Sequence, residues 1–133
     1  MEFGAHGTFE LSRRGDVYVV TLLHSWNLEQ AKAFFSAYVE FVERHHLPRY
    51  GVLSDLRQLE GGTPEAVDLF SEVAQWASQK GQVARAVLAD SSYREYIVDR
   101  IDREGRAFPV KVFDSENDAM AWLESFGLAT HPI

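Results

Sequence analysis

Acidic side chains recur where apolar segments of the chain end. Asp55 lies one residue before the end of the segment Tyr50–Leu56, and Asp90 and Asp114 directly follow two further apolar segments. Carboxylates gathered at one edge of a fold could exchange protons with a substrate. An acid beside a helix N-terminus also stabilises the helix dipole. Because no nucleophile, base or metal set accompanies these acids, the structural role is favoured.

Two further residues have a structural and a functional interpretation. Arg57 follows Asp55 by two residues, on the same side of an extended chain, so an ion pair is its simplest role. The guanidinium could instead offer a hydrogen-bond fork to a partner. Trp26 lies in a predicted loop, where an indole either seals the end of a sheet or supplies contact area to a partner. The sequence leaves both alternatives open.

The usual catalytic and metal-binding patterns are absent from the sequence. It contains no cysteine, which excludes disulfides, iron–sulfur clusters and a thiol nucleophile. His45 and His46 are adjacent and would point about 100° apart on a helix, so they cannot chelate one ion. Gly61-Gly62 fits neither a dinucleotide-binding nor a P-loop pattern. We therefore expect no enzyme activity, no metal and no cofactor.

Length and charge restrict the possible functions of the protein further. The 133 residues suit one domain over 1–133, with an ordered core at about 7–126. A net charge of −7 disfavours binding to nucleic acid. The longest apolar run, Val17–Leu23, is too short to insert across a membrane, and the N-terminus shows no signal-peptide pattern. A cytoplasmic location is expected.

Five strands are predicted. Gly7–Arg14 alternates between apolar and polar residues, and Gly15-Asp16 supplies a hairpin turn. Val17–Leu23 is apolar almost throughout, as in a strand covered on both faces. The remaining strands are Tyr50–Leu56, Ala84–Ala89 and Val110–Phe113, and residues 57–62 are predicted to form a loop.

Four helices are predicted, each beginning at a side chain that can accept hydrogen bonds from first-turn N–H groups. The capping residues are Asn27, Thr63, Ser92 and Ser115, for helices ending near His45-His46, Gly81, Glu104 and Gly127 respectively. The order ββαβαβαβα requires parallel pairing through right-handed crossovers. We predict an α/β fold with a mixed five-stranded sheet, of which four strands are parallel and the first is an antiparallel edge strand.

The predicted sheet raises the question of what covers its second face. Strands 17–23 and 84–89 are apolar on both faces, whereas the helices of such a coil tend to gather on one side. Either a folded-back helix or a second copy of the chain must cover the other face. We favour a homodimer.

Four short motifs resemble a known family: Trp26-Asn27, Asp55-Leu56-Arg57, Thr63-Pro64-Glu65, and Phe113-Asp114-Ser115-Glu116 leading into 119–123. With the element order, they resemble the fold shared by anti-sigma-factor-antagonist (STAS) domains and lipid-binding Sec14 domains, above all small bacterial STAS/Sec14-like proteins. The resemblance covers about residues 7 to 126. It implies a STAS-like β/α coil.

The sequence departs from this family at two points. Sporulation-type STAS domains carry a phosphorylatable serine in an Asp-Ser-Ser-Gly motif at the start of the second helix. Residues 60–65 lack that motif, and Thr63, the nearest hydroxyl, is favoured as a helix cap rather than a phosphorylation site. A full Sec14 lipid pocket needs additional elements that 133 residues do not supply.

The sequence and the resemblance suggest two functions, and a minimal hydrolase or isomerase is kept as a third, less favoured one. The first is a non-enzymatic regulatory module that binds a protein partner, and the alternative is a Sec14-like carrier of a small molecule or lipid. An enclosed apolar cavity of a few hundred Å³ would favour the carrier. In either case the ligand is a protein or a small neutral molecule, bound at the carboxyl edge of the sheet. The predicted site comprises Trp26, Asn27, Asp55, Arg57, Thr63, Asp90, Ser91, Ser92, Asp114 and Ser115.

Overall fold

The computed structural model describes residues 8–90 and 108–131. Its elements are β1 (Thr8–Arg14), β2 (Val17–Trp26), α1 (Leu28–His45), β3 (Tyr50–Gly62), α2 (Pro64–Ser78), β4 (Gln82–Leu88), β5 (Val110–Phe113) and α3 (Glu116–Glu124). The helix predicted from Ser92 to about Glu104 lies outside the described residues. None of the helices in these two ranges is both long enough and apolar enough to cross a bilayer.

The strands form one five-stranded sheet in the order β1-β2-β3-β4-β5. β1 and β2 form an antiparallel hairpin, and the three remaining neighbouring pairs are parallel. The predicted mixed sheet with an antiparallel edge strand is therefore confirmed. The switch from an alternating to a continuous apolar pattern between β1 and β2 reflects this change from edge to interior.

β2 and β3 extend further than the sequence predicts. β2 continues past Leu23 to Trp26, and the predicted loop 57–62 is the second half of β3. The two extensions, residues 23–26 and 58–62, stay paired in parallel, and we call them the ribbon. Register shifts interrupt this pairing between Thr21 and Leu23 and between His24 and Ser25. Such irregularities break the two-residue alternation that identifies a strand, so the prediction of a loop was wrong.

Helices α1 and α2 cover one face of the sheet. Val20 and Val52 from the strands pack in one cluster with Phe34 and Tyr38 of α1 and Val73 of α2. All five side chains are at most 8% exposed. The three- and four-residue spacing of these helix residues produces a continuous apolar stripe that this face can bury.

Helix α3 covers the other face over β3 and β4. Leu53, Ala86 and Leu88 form a second cluster with Ala119 and Leu123 of α3. The folded-back helix is therefore the cover that the apolar strands require. Of the two covers that the sequence allowed, the folded-back helix is the one found over these strands, so this face gives no argument for a homodimer, which stays a prediction.

Candidate functional site

The carboxyl ends of the parallel strands bring the predicted acids to one edge. Asp55 pairs in register with Leu88 of β4, which pairs with Phe113 of β5. Asp90 and Asp114 follow one or two residues later, and both are exposed. Neighbouring strands lie about 4.8 Å apart, so three acids share a narrow strip. Asp90 and Asp114 both make interactions of their own.

Asp55 and Arg57 form a bidentate ion pair within this strip. The Arg57 Nε atom donates to Asp55 Oδ1 at 2.9 Å, and a terminal guanidinium nitrogen donates to Oδ2 at 2.8 Å. The Arg57 backbone N–H donates to Oδ1 at 3.1 Å. The Asp55 side chain is 16% exposed and that of Arg57 is 45% exposed. The pair therefore has a half-buried acid and an accessible cation.

Electrostatics in the pair stabilise both charged forms. Burial alone would raise the pKa of Asp55, but the hydrogen bonds and charge of Arg57 outweigh it, and the pKa is lowered. The hydrogen bonds to Asp55 raise the pKa of Arg57 against its own burial, and the charges of Asp55 and Glu116 raise it further. The pair therefore stays ionised over the physiological pH range.

Replacing Arg57 with glutamine is expected to raise the pKa of Asp55, because burial of the carboxyl then lacks an opposing charge. In the wild type, the lowered pKa of Asp55 stabilises the folded state at pH values above 3.8, the pKa of this carboxyl in the unfolded chain. This contribution is lost as the pH falls through the pKa of Asp55 in the folded state. The variant should lack this acid-dependent loss. Carboxyl NMR titration of Asp55 measures the pKa shift directly.

Arg44→Gln provides the matched control for this titration. The ion pair of Arg44 with Glu40, one helical turn away, is long at 3.9 Å, and both side chains are exposed. The pKa of Asp55 should therefore be the same in Arg44→Gln as in the wild type. An unchanged Asp55 titration in Arg57→Gln would show that the ion pair does not control the carboxyl.

Other predicted site residues lie at the tip of the ribbon rather than at the acidic strip. Asn27 caps α1, where its Oδ1 accepts from the Gln30 N–H at 3.1 Å. Thr63 caps α2, where its Oγ1 accepts from the Ala66 N–H at 3.3 Å. The ribbon separates Thr63 from Asp55 by up to about 26 Å, at about 3.3 Å per residue of extended chain. The structure thus divides the predicted site into two groups.

Trp26 is part of the hydrophobic core. It is 2% exposed, and its indole Nε1 donates to the Leu23 carbonyl at 2.9 Å. The ring contacts Phe9, Phe34 and Phe70 at centroid distances of 6.0, 5.9 and 5.6 Å respectively. The indole has almost no area to offer a partner, so the interpretation of Trp26 as an exposed anchor is wrong. It seals the core beneath the ribbon.

The start of α3 contributes the last predicted residues. Ser115 caps the helix by accepting from the Asp118 N–H at 3.3 Å. Next to it, Glu116 forms an ion pair with Arg14 of β1 at 3.0 Å. The remaining predicted residues, Ser91 and Ser92, lie outside the described residues.

The sequence did not identify the polar surface of the ribbon. His24 Nδ1 lies 3.6 Å from Glu60 Oε2, and Ser25 Oγ donates to Glu60 Oε1 at 3.4 Å. His24 adopts a left-handed backbone conformation with φ of 66°, which non-glycine residues rarely adopt. These contacts depend on the irregular pairing of β2 with β3, and no local sequence signal indicates it.

The described residues present a polar surface at the carboxyl edge of the sheet. In residues 8–90 and 108–131, no cluster of three histidine, aspartate or glutamate side chains is placed to hold a metal ion. At the acidic strip, Arg57 is exposed beside several carboxylates. Such a surface can exchange ion pairs and hydrogen bonds with a partner.

Several solved structures have a fold similar to that of this chain. The chain matches an uncharacterized protein of the DUF3478 family with a SpoIIAA-like fold, from Shewanella loihica PV-4 (TM-score 0.69, 16% identity, covering 92% of this chain and 98% of that one). It also matches an anti-sigma factor antagonist from Mycobacterium paratuberculosis (TM-score 0.60, 16% identity, covering 89% of this chain and 94% of that one). A third match is the anti-sigma factor antagonist SpoIIAA in its unphosphorylated form (TM-score 0.53, 14% identity, covering 88% of this chain and 98% of that one).

These matches confirm the predicted resemblance to the SpoIIAA-like, or STAS, fold. They give no support to the predicted resemblance to Sec14 domains. No curated protein matches this chain. One family model spans most of the sequence, at residues 18–127, and reaches from β2 to the end of α3. The chain therefore belongs to the family described as a domain of unknown function, DUF7793.

Proposed function

We propose that this chain is a non-enzymatic regulatory module that binds a protein partner through the carboxyl edge of its sheet. The binding surface comprises Asp55, Arg57, Asp90, Asp114 and Ser115, which we call the carboxyl-edge surface. The fold shared with two anti-sigma factor antagonists supports a regulatory role. Because a fold alone hosts many functions, the choice of this role depends on the interior and the surface of the molecule.

Within residues 8–90 and 108–131, the small size of the cavity beneath helices α1 and α2 is the observation that carries this proposal over the carrier alternative. The cavity between the sheet and helices α1 and α2 measures about 50 Å³, and Tyr38, Ser54 and Arg85 are among its lining residues. That volume admits a few water molecules. Pockets for small-molecule ligands are commonly about 300–1,000 Å³. A lipid or cofactor-sized ligand does not fit there.

The charge of the carboxyl-edge surface indicates what kind of partner it suits. Asp55, Asp90 and Asp114 bring negative charge to the strip, and Arg57 is a cation held beside Asp55. A partner with basic side chains around one acidic or carbonyl acceptor complements this pattern. Arg57 has further N–H donors beyond those that bind Asp55. It is therefore the residue that we expect to give the contact its specificity.

Affinity capture with the full chain tests the surface. Arg57→Ala is expected to weaken partner binding about tenfold or more, as for a central interface arginine, while retaining a cooperative thermal transition. Lys80→Ala also removes one exposed cation. Lys80 lies between the end of α2 and the start of β4, at the sheet edge opposite the carboxyl edge, so this variant should bind the partner as the wild type does. Equal binding by Arg57→Ala and the wild type would place the partner surface elsewhere.

Native mass spectrometry of the freshly purified protein tests the carrier alternative separately. The expected species are the 15.1 kDa chain and its multiples, without a retained small molecule. A co-purified apolar molecule released on unfolding would contradict the module and favour the carrier.

A further inference from the structure

β1 presents an open sheet edge. It is the first strand of the sheet, and among residues 8–90 and 108–131 only β2 pairs with it. Natural edge strands are commonly protected by charged side chains, proline, a bulge or a covering segment. β1 carries the charged residues Glu10, Arg13 and Arg14, but it has no proline, and its pairing with β2 is regular over all seven residues. Its outer backbone groups are therefore suited to pair with another strand.

An open groove of about 670 Å³ runs beside this edge, between β1 and α1. Phe9, Leu11 and Phe41 form its apolar floor. The α1 side continues with Ala33, Ser36, Ala37, Glu40 and Arg44, spaced at three or four residues along one side of the helix. Exposed polar side chains at its rim leave the groove open to solvent, unlike an enclosed ligand pocket.

The directions of β1 and α1 determine which residues lie level along the groove. Phe9, near the start of β1, contacts Phe34 in the first half of α1, with ring centroids 5.3 Å apart. Arg13, near the end of β1, pairs with Tyr18, whose ring lies 5.9 Å from that of His45. β1 and α1 therefore run in the same direction, and Leu11 lies level with the middle of α1.

We propose that a second copy of this chain occupies the groove, with the two β1 strands paired antiparallel about a two-fold axis through Leu11. Leu11 is the middle residue of β1, so this register pairs residues 8–14 along their full length. Both copies of α1 then lie side by side and antiparallel. This contact lies beyond the carboxyl-edge surface and does not depend on the proposed function.

Charge complementarity between the two helices supports this occupant. Between the helices, antiparallel packing centred near Ala37 places Glu29, at the start of one α1, beside Arg44, at the end of the other. Both side chains are exposed. The symmetry repeats each opposite-charge contact, so the surface complements itself.

A charge swap on α1 tests the proposal by sedimentation equilibrium from about 1 to 100 µM, a range that detects micromolar dissociation constants. The wild type should dimerise. Glu29→Arg and Arg44→Glu should each weaken the dimer about tenfold, because the two-fold axis converts both contacts into like-charge pairs. The double variant Glu29→Arg/Arg44→Glu restores opposite charges and should dimerise within about threefold of the wild type.

Glu43→Arg is the control, because it makes the same charge change on the outer side of α1. It should leave the dissociation constant unchanged. A wild type that is monomeric at 100 µM would overturn the proposal, as would a double variant no more dimeric than the single variants.

Hydrogen exchange on the wild type locates the contact without any substitution. Amides of residues 8–14 should exchange more slowly as the protein concentration rises. A slowing confined to other segments would show that the copies meet through a different surface.

Discussion

Replacing Trp26 with alanine is expected to lower the free energy of unfolding by about 3–5 kcal/mol, the range for deleting a buried aromatic side chain. The indole packs against Phe9, Phe34 and Phe70, which come from β1, α1 and α2. Its removal leaves a cavity where three elements meet. The loss of the hydrogen bond to the Leu23 carbonyl adds to the destabilisation, because this carbonyl loses its donor beneath the ribbon.

Urea denaturation followed by circular dichroism measures this loss, and Trp122→Ala is the matched control. Trp122 contacts Phe113 and Phe126 but remains half-exposed on α3. Its removal should cost roughly 1–3 kcal/mol, because less of the ring is buried. A loss below about 1 kcal/mol in Trp26→Ala would mean that the indole does not seal the core.

This stability effect separates the fold from the binding surface. A Trp26→Ala variant that fails to bind a partner is explained by a damaged core and reveals nothing about the carboxyl-edge surface. Arg57→Ala removes an exposed side chain whose partner, Asp55, can still contact solvent. Its effect on binding is therefore the informative measurement. The sequence left a structural and a partner-binding role open for both residues, and the structure separates them because Trp26 is buried and Arg57 is exposed.

Local patterns were sufficient to predict most of the architecture. The caps at Asn27, Thr63 and Ser115 are confirmed, because each depends only on a side chain and the backbone of the next three residues. The ion pair of Asp55 with Arg57 follows in the same way from a two-residue spacing in an extended chain. Such interactions are contained in a few consecutive residues, so the sequence alone indicates them.

Features that depend on distant segments were not predictable in this way. The burial of Trp26 depends on rings contributed by β1, α1 and α2. The ribbon depends on irregular pairing between β2 and β3, which breaks the alternation on which strand prediction relies. The cover over β3 and β4 depends on α3 folding back from the far end of the chain. In each case the decisive contact joins residues far apart in sequence.

The turn between β1 and β2 makes a long-range contact of the same kind, since it holds the segment that follows α3. The Asp16 backbone N–H donates to the Ala129 carbonyl at 2.8 Å, and the Ala129 N–H donates back to the Asp16 carboxylate at 2.9 Å. Next to these bonds, Leu128 is 4% exposed and belongs to the cluster beneath α3. The turn therefore helps to hold the cover of the second sheet face in place.

Replacing Gly15 with alanine should break this attachment and lower the free energy of unfolding by about 2–4 kcal/mol. Gly15 has φ of +60°, which L-residues adopt at a cost. An added Cβ would lie 2.6 Å from the Ala129 oxygen and 2.9 Å from the His131 oxygen. Since both atoms belong to the backbone, the terminal segment must move away, and the amide of Ala129 should exchange with solvent faster than in the wild type.

Gly62→Ala separates this effect from a general loss of glycine. At Gly62 the nearest atom to an added Cβ is the Trp26 oxygen at 3.6 Å, an ordinary contact distance, so its stability should change by less than about 1 kcal/mol. If Gly15→Ala also changes the free energy of unfolding by less than about 1 kcal/mol, the hairpin turn does not hold the terminal segment. In that case α3 must keep the second face covered without help from the turn. If Gly15→Ala unfolds early and its Ala129 amide exchanges faster, while Gly62→Ala shows neither change, the turn and the distant terminal segment stabilise one another through the two hydrogen bonds they share.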